Sequence, residues 1–170
     1  MGDTPDLTVS ARYLFGAPGA DLAIEGETLL RAADGLAAYP GYVFGRHDAP
    51  FDARMEVLGS GQRTDTAGIA VVPVSLPVVD DPGRPLEVRM TVRVAEGSGR
   101  PVERQITKLL TPSKAMIGVK PLFEDVVGEG DEARFSLIGV GPDGAMVPMK
   151  VKWQLTRIET NYQWYQNFGN

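Results

Sequence analysis

Residues 86–94 are Leu86-Glu87-Val88-Arg89-Met90-Thr91-Val92-Arg93-Val94, a strict alternation of apolar and polar side chains. Successive side chains of a β-strand point to opposite faces, so this pattern predicts a strand with one face in a core and one in water. Turn-forming residues flank it at 80–85 and 96–99. The same unit recurs along the chain, and the predicted fold is built around it.

Similar alternation and punctuation predict further strands at residues 7–15, 21–31, 54–58, 69–76, 100–110, 131–140 and 149–158. Gly26 is a candidate β-bulge, and Pro73 places its strand at a sheet edge or at a bend, because proline lacks the N–H donor. Residues 39–45 are predicted as a short aromatic strand or an anchored loop, and residues 59–65 as a polar loop. The predicted fold class is all-β, an antiparallel β-sandwich.

The segment Thr111-Pro112-Ser113-Lys114 has the composition of a linker, and Pro112 stops a strand ladder. We therefore expect a leader at residues 1–6, a complete sandwich domain at 7–112 and a second, incomplete one at 113–170. The second block is short beside the ~100 residues of an independent sandwich. It is either truncated or completed by an edge from the first block or from another copy of the chain.

Composition excludes several classes of function. The net charge of −5 argues against nucleic acid as a partner, because phosphate binding needs a basic face. No apolar run approaches the ~20 residues of a membrane-spanning helix, and residues 1–6 lack the features of a signal peptide. The chain has no cysteine, which excludes a disulfide scaffold, thiol catalysis and thiolate metal sites.

No catalytic constellation is predicted. His47 is the single histidine and precedes Asp48, a pair that can take part in acid–base chemistry. No nucleophile lies at a suitable spacing, so a solvated loop histidine is the favoured interpretation. A hydrolase is the hypothesis with the least support, and turnover that His47→Ala abolishes would revive it. We expect no catalytic, cofactor-binding or metal-binding residues, and no cofactor.

Carboxylate clusters offer oxygens that calcium would accept. Their spacing does not match an EF-hand loop, and turn formation explains them better. The glycine pairs Gly59/Gly61 and Gly139/Gly141 do not precede a helix, so they do not predict a phosphate site. The clustered carboxylates are Asp80, Asp81, Glu124, Asp125, Glu129, Asp131 and Glu132.

Aromatic side chains concentrate near the end of the chain, at Trp153, Tyr162, Trp164 and Tyr165. Such rings can stack on sugars or nucleobases. The alternation places Trp153 on a core-like face and Tyr162 with Trp164 on one face. Packing in a core or an interface is therefore the favoured interpretation.

The segment from Ala11 to Leu22, with its tyrosine, apolar residue, glycine and proline turn, resembles the start of a macroglobulin domain, the repeated β-sandwich of the α2-macroglobulin family. Residues 39–45, 117–123 and 153–165 resemble the bacterial branch in particular. The resemblance covers residues 7–170, and it implies two consecutive macroglobulin-like domains that precede the bait region, the second one incomplete.

The resemblance also implies a function. Bacterial members are similar to periplasmic, lipid-anchored protease traps, in which a protease cuts the bait region and a Cys–Gln thioester can couple to it. Without cysteine, this chain does not hold the thioester, and no functional residue of the family is carried over. We expect a non-catalytic scaffold fragment of a broad-spectrum protease inhibitor of the cell envelope, with the parent anchored to the inner membrane as a lipoprotein.

The expected partners are the remaining domains of the parent protein and, through it, target proteases, with a homodimer through the truncated second domain as a further arrangement and nucleic acid excluded. A carbohydrate- or peptide-binding module of the cell envelope is the alternative function. It rests on the terminal aromatic residues and on exposed sheet edges.

Overall fold

A computed structural model of the chain describes residues 5–46, 48–79, 82–96 and 99–157. These residues form strands and turns and contain no helix, so none of them forms a helix able to cross a membrane. The predicted all-β class is confirmed. The strands are β1 Asp6–Ser10, β2 Ala23–Ala32, β3 Val43–Phe44, β4 Arg54–Arg63, β5 Ile69–Pro73, β6 Leu86–Ala95, β7 Val102–Leu110, β8 Met116–Pro121 and β9 Phe135–Val140.

The organising strand of the sequence is β6, and it lies inside a four-stranded antiparallel sheet with the order β4-β2-β6-β7. Its predicted hairpin with β7 is confirmed, with Leu86 opposite Leu110 and Val94 opposite Val102. Val88 and Val92 are buried, as the alternation predicts for the inner face. This strand therefore carries the middle of the first core.

A second, two-stranded sheet of β1 and β5 packs across that inner face and completes a sandwich-like layer arrangement. Val72 of β5 is fully buried, and Ile24 and Leu58 of the larger sheet are almost so. β5 pairs only with β1 among the described strands, so the predicted edge position of Pro73, its last residue, is confirmed. Alternate residues of both sheets thus share one apolar core.

The outer face of the larger sheet carries ion pairs between side chains of neighbouring strands. Arg31 Nε lies 2.6 Å from Glu87 Oε1, and Arg93 lies 2.8 Å from Glu103 and 3.5 Å from Glu27. Cross-strand pairs of opposite charge support strand register. The hydrogen bond from Arg93 to Glu103 raises the pKa of the guanidinium above its usual value.

The prediction that Thr91 faces water is wrong, since only 7% of this residue is exposed. The backbone of β2 approaches closely here, because a Cβ on Gly26 would lie 2.3 Å from the Thr91 carbonyl oxygen. The register of β2 against β4 shifts between Ile24 and Gly26, which confirms the predicted bulge. Gly26 therefore serves both the bulge and the close approach.

Three predicted strand ends are wrong in the first block, and one of them is that of β5, which ends at Pro73 instead of residue 76. β4 continues through most of the predicted polar loop and ends at Arg63, with Gly59 and Gly61 at φ values of +73° and +74° that glycine tolerates. β1 ends at Ser10 instead of Phe15, because the chain folds back in a turn closed by the bond from Gly16 N to Tyr13 O. Alternation alone does not reveal where a ladder partner ends.

A third sheet has the order β3-β8-β9. Its short first strand, β3, belongs to the first block by sequence. It joins this sheet by pairing with β8, where Val43 is opposite Val119 and Phe44 is opposite Gly118. The strand predicted at 149–158 is wrong over residues 149–157, which form no ladder. Alternating side chains form a strand only where a neighbour pairs with the backbone.

The division into domains at residues 7–112 and 113–170 stays a prediction, as does the truncation of the second domain. The structure adds that residues 36–44 pack with the strands after residue 115. An edge supplied by the first block is present in the structure, since β3 pairs with β8.

Candidate interaction surfaces

The most specific arrangement of side chains lies where residues 36–44 meet β8 and β9, a region we call the joint. Leu36 and Phe44 form a small buried core with Met116 and Val140. Phe44 packs closely, because a Cβ on Gly118 would lie 2.8 Å from its ring. The joint thus ties a segment before β4 to strands that follow the predicted linker.

Two tyrosine hydroxyls fix the joint by hydrogen bonds over long sequence separations. Tyr39 Oη donates to the Gly144 carbonyl at 2.8 Å, and Tyr42 Oη lies 2.7 Å from Ser136 Oγ. Buried tyrosines usually find such a partner for the hydroxyl while the ring packs. Residues 39–45 therefore combine both predicted alternatives, an anchored loop and the short strand β3.

Cationic and polar side chains add further bonds at the same region. Lys120 Nζ donates to the Pro40 carbonyl at 3.2 Å and lies 5.8 Å from the centre of the Tyr42 ring. Thr111 Oγ1, in the predicted linker, donates to the Pro142 carbonyl at 2.8 Å. Arg84 donates to the carbonyls of Arg46 and Ala49 and so holds the chain that leaves β3.

The outer face of the third sheet is apolar, and its side chains stay partly exposed among the described residues. Val43 and Val119 are opposite each other, and Val119 is also opposite Leu137. An exposed apolar sheet face of this kind marks a contact surface. We call it the apolar face, and its exposed members are Val43, Ile117, Val119, Phe135 and Leu137.

The hairpin tip at residues 13–18 also exposes apolar side chains. The Tyr13 and Phe15 rings stack with centroids 5.3 Å apart, and Phe15 is 82% exposed. A hydrogen bond with Glu96 raises the pKa of the Tyr13 hydroxyl. The strand predicted at residues 7–15 therefore does not reach Tyr13 and Phe15, and the tip points into solvent.

The structure describes only some of the side chains that were considered as site candidates in the sequence. His47 lies outside the described residues, and Asp48 binds Arg46 through two bonds of 2.9 and 2.6 Å. Asp80 and Asp81 also lie outside them. In the described part of the chain, no three carboxylate or histidine side chains converge on a position for a metal ion, those of residues 124–132 included.

The aromatic prediction has a mixed outcome. Trp153 is 82% exposed, so its placement on a core-like face is wrong. Tyr162, Trp164 and Tyr165 lie outside the described residues. The glycine pairs occur in β4 and around the end of β9, where they shape strands and a turn.

Sequence reasoning missed the partners of the joint. The aromatic residues at 39–44 were the available signal, because exposed loops seldom carry so many rings. Nothing local to those residues indicates Ser136 or Gly144 as the hydrogen-bond partners, since these lie 94 and 105 positions away from the tyrosines that they bind.

Comparison with family models gives two matches in succession. Residues 1–112 match the model of the bacterial alpha-2-macroglobulin MG5 domain, and residues 118–170 match bacterial macroglobulin domain 6. The first match alone covers more than half of the chain.

Curated relatives agree. The chain is 33% identical to an alpha-2-macroglobulin of Xylella fastidiosa over 173 residues, covering 96% of this chain and 10% of the relative. It is 26% identical to the alpha-2-macroglobulin of Escherichia coli over 180 residues, covering 95% of this chain and 11% of that protein. The chain thus spans about a tenth of the length of these relatives.

Solved structures show the same fold. The native conformation of Escherichia coli alpha-2-macroglobulin matches with a TM-score of 0.61 at 23% identity, over 84% of this chain and 10% of that one. The trypsin-activated protein of the same organism matches with a TM-score of 0.62 at 23% identity, over 83% and 11%. With the two domain models matched in order, the chain belongs to the bacterial alpha-2-macroglobulin family.

Proposed function

We propose that this chain is a non-catalytic scaffold segment of a bacterial alpha-2-macroglobulin that acts as a broad-spectrum protease trap. The observation that carries the proposal is the match of two successive macroglobulin domain models over residues 1–112 and 118–170. Related proteins are described as trypsin-activated and as activated by porcine elastase. The remaining domains of the parent and the trapped protease are the proposed partners.

The joint supports a mechanical role. Buried Phe44 and the hydroxyls of Tyr39 and Tyr42 connect the first block to β8 and β9 through bonds that need no ligand. A scaffold of stacked β-domains requires such fixed contacts between neighbouring units. Catalytic groups are not needed for this role.

The parent protein tests the proposal directly. After incubation with trypsin, gel filtration should show the protease co-eluting with the parent and cutting small peptides but not large proteins. A parent that leaves trypsin free to digest large substrates would contradict the trap function. In the same trapping assay, Phe44→Ala removes a buried ring of the joint. Phe15→Ala, which removes an exposed ring, is its matched control.

We propose a location in the periplasm, with the parent anchored to the inner membrane as a lipoprotein. The proposal follows from the resemblance to bacterial family members. Fractionation of spheroplasts should leave the parent with inner membranes until detergent releases it. Recovery in the cytoplasmic fraction would contradict this location.

The apolar face supports a further proposal, a homodimer of this chain in isolation. Its exposed side chains include Val43, Phe135 and Leu137, and exposed apolar patches favour association. Sedimentation of the isolated chain should show a concentration-dependent dimer that Leu137→Lys abolishes. A monomer at all concentrations would contradict it.

A carbohydrate- or peptide-binding module is the second candidate, because the exposed Trp153 ring is free to stack. Titration with glycans or peptides while tryptophan fluorescence is followed distinguishes the two. A saturable change that Trp153→Ala removes would favour binding, whereas the scaffold function predicts none.

A further inference from the structure

A groove of about 570 Å³ runs along one side of the first sandwich, where the two-stranded sheet stops short of β7. β1 forms one wall, the inner face of β6 forms the floor and β7 forms the other wall. Its apolar lining includes Leu7, Val9, Met90, Val92, Val102 and Ile106. This volume is in the range of sites that bind a ligand or a short segment of chain.

The groove exists because two strands cover a sheet of four. On β7, Ile106 is opposite Met90 and Val102 is opposite Val94, so both lie on the inner face of the sheet. Met90 is buried, but Val102 is 57% exposed and Ile106 39%. Inner-face apolar residues of a sandwich are normally covered by the opposite sheet, and here that covering strand is missing from the described residues.

The wall formed by β1 offers a free strand edge. Val74 N donates to Pro5 O and Ala11 N donates to Gly68 O, which sets the phase of the antiparallel ladder with β5. Since hydrogen-bonded positions alternate along such a ladder, the backbone groups of Asp6, Thr8 and Ser10 point away from β5. Thr8 and Ser10 line the groove, so these groups are available to a further strand.

The rim of the groove is positive in a chain whose net charge is −5. Arg12, Arg100 and Arg104 line it, and none of the three forms an ion pair with a described residue. The carboxylate at the rim, Glu96, interacts with Tyr13. An occupant that carries a carboxylate would meet these guanidinium groups.

We propose that an extended segment of the parent polypeptide, from outside this chain, fills the groove by adding to β1 as a third strand. Its alternate side chains are apolar and pack on Met90, Val92 and Ile106, and at least one carboxylate reaches Arg104 or its neighbours. The proposal rests on the proposed parent, since this chain spans a tenth of the length of its relatives.

Two considerations favour a segment of the same polypeptide over other occupants. A tethered segment is present at an effective concentration of about millimolar, so it needs little intrinsic affinity. A second copy of the chain that paired through β1 would bring two sets of rim arginines together, and like charges across strands are unfavourable.

Photo-crosslinking in the full-length parent tests the proposal. Benzoylphenylalanine at position 106 should crosslink within the same polypeptide, to an extended segment outside residues 1–170 that has alternating apolar residues and a carboxylate. The same probe at position 107, on the opposite face of β7, is the control and should not reach that segment. Crosslinks from position 106 to a second copy, to another protein or to nothing would overturn the proposal.

Two pairs of variants test the strand pairing and the charge. Thr8→Pro removes one free-edge donor without touching the ladder to β5, and it should lower the crosslink yield about fivefold, the ratio expected for one hydrogen bond; Thr8→Val should not. Arg104→Glu should lower the crosslink yield, whereas Arg104→Lys, which keeps the positive charge, should leave it near that of the unmodified parent. This pair keeps the test informative if Thr8→Pro does not fold. A yield unchanged by Arg104→Glu overturns the acidic character of the segment.

The outcomes separate this proposal from the trap function. Trapping of trypsin without any crosslink from position 106 overturns the groove proposal alone. A crosslink of the expected kind in a parent that traps no protease counts against the proposed function alone.

Discussion

The first sandwich and the third sheet bury apolar residues in unequal ways. Ten buried residues form the first core, nine from four strands and Val74 from just after β5, and all of them belong to residues 24–92. Four form the core of the joint, and two of these, Leu36 and Phe44, come from the first block. The third sheet therefore depends on the first block, whereas the first core needs nothing from β8 or β9.

The largest expected effect comes from Phe44→Ala, which removes a ring that is only 6% exposed. Truncation of a buried phenylalanine costs about 3–5 kcal/mol, and here the loss should fall on the third sheet. Amide hydrogen exchange should show lost protection in β8 and β9 and retained protection in β6. Equal loss of protection in β6 would mean that the two cores unfold as one unit.

Leu58→Ala tests the same dependence from the side of the first core. Leu58 is 2% exposed in the first core, and its truncation should lower the free energy of unfolding by about 2–5 kcal/mol. Because the third sheet depends on the first block, protection should fall in β8 and β9 as well as in β6. Met55→Ala, at an exposed position of the same strand, should change stability by less than about 0.5 kcal/mol.

Tyr39→Phe sharpens the comparison at a single bond. It keeps the ring and deletes the hydroxyl that donates to the Gly144 carbonyl. The expected loss is about 0.5–1.5 kcal/mol, measured by chemical denaturation with exchange of β9 amides as the local probe. A Tyr39→Phe variant as stable as the unmodified chain would show that the hydroxyl bond contributes nothing.

The smallest effect concerns pH at the corner of the first sandwich. Arg63 Nε lies 2.5 Å from Asp21 Oδ1, and this bond holds the pKa of the Asp21 carboxyl below its usual value. A lowered folded pKa gives stability above the unfolded pKa of about 3.9, and that stability is lost as pH falls through the folded pKa. Both groups are exposed, so the contribution is small and screened by salt.

Asp21→Asn measures this contribution. Asparagine tolerates the positive φ of 55° at this position, so the turn should persist. The variant should lose the contribution of Asp21 to the pH dependence of unfolding, which lies below about pH 5. Amide hydrogen exchange in the third sheet should be unchanged. A pH dependence of unfolding identical to that of the chain with Asp21 would show that the ion pair contributes nothing.

Local alternation predicted the centre of the fold but not its edges. β6 and its hairpin to β7 were predicted because both strands and the turn between them are continuous in sequence. The early end of β1, the extension of β4 to Arg63 and the irregular residues 149–157 were not, since each depends on whether a partner strand is present. For the joint, the anchored loop was predicted and its hydrogen-bond partners were not.

The sequence by itself determined the all-β class, the inner face of β6, the bulge at Gly26 and the resemblance that the domain models confirm. These features are written in the order of neighbouring side chains, which a strand converts directly into faces. Only the tertiary structure decided that Tyr39 and Tyr42 bind across the joint and that the inner face of β7 stays open as a groove. Both depend on which distant strands meet, and the pattern along a single strand does not contain that information.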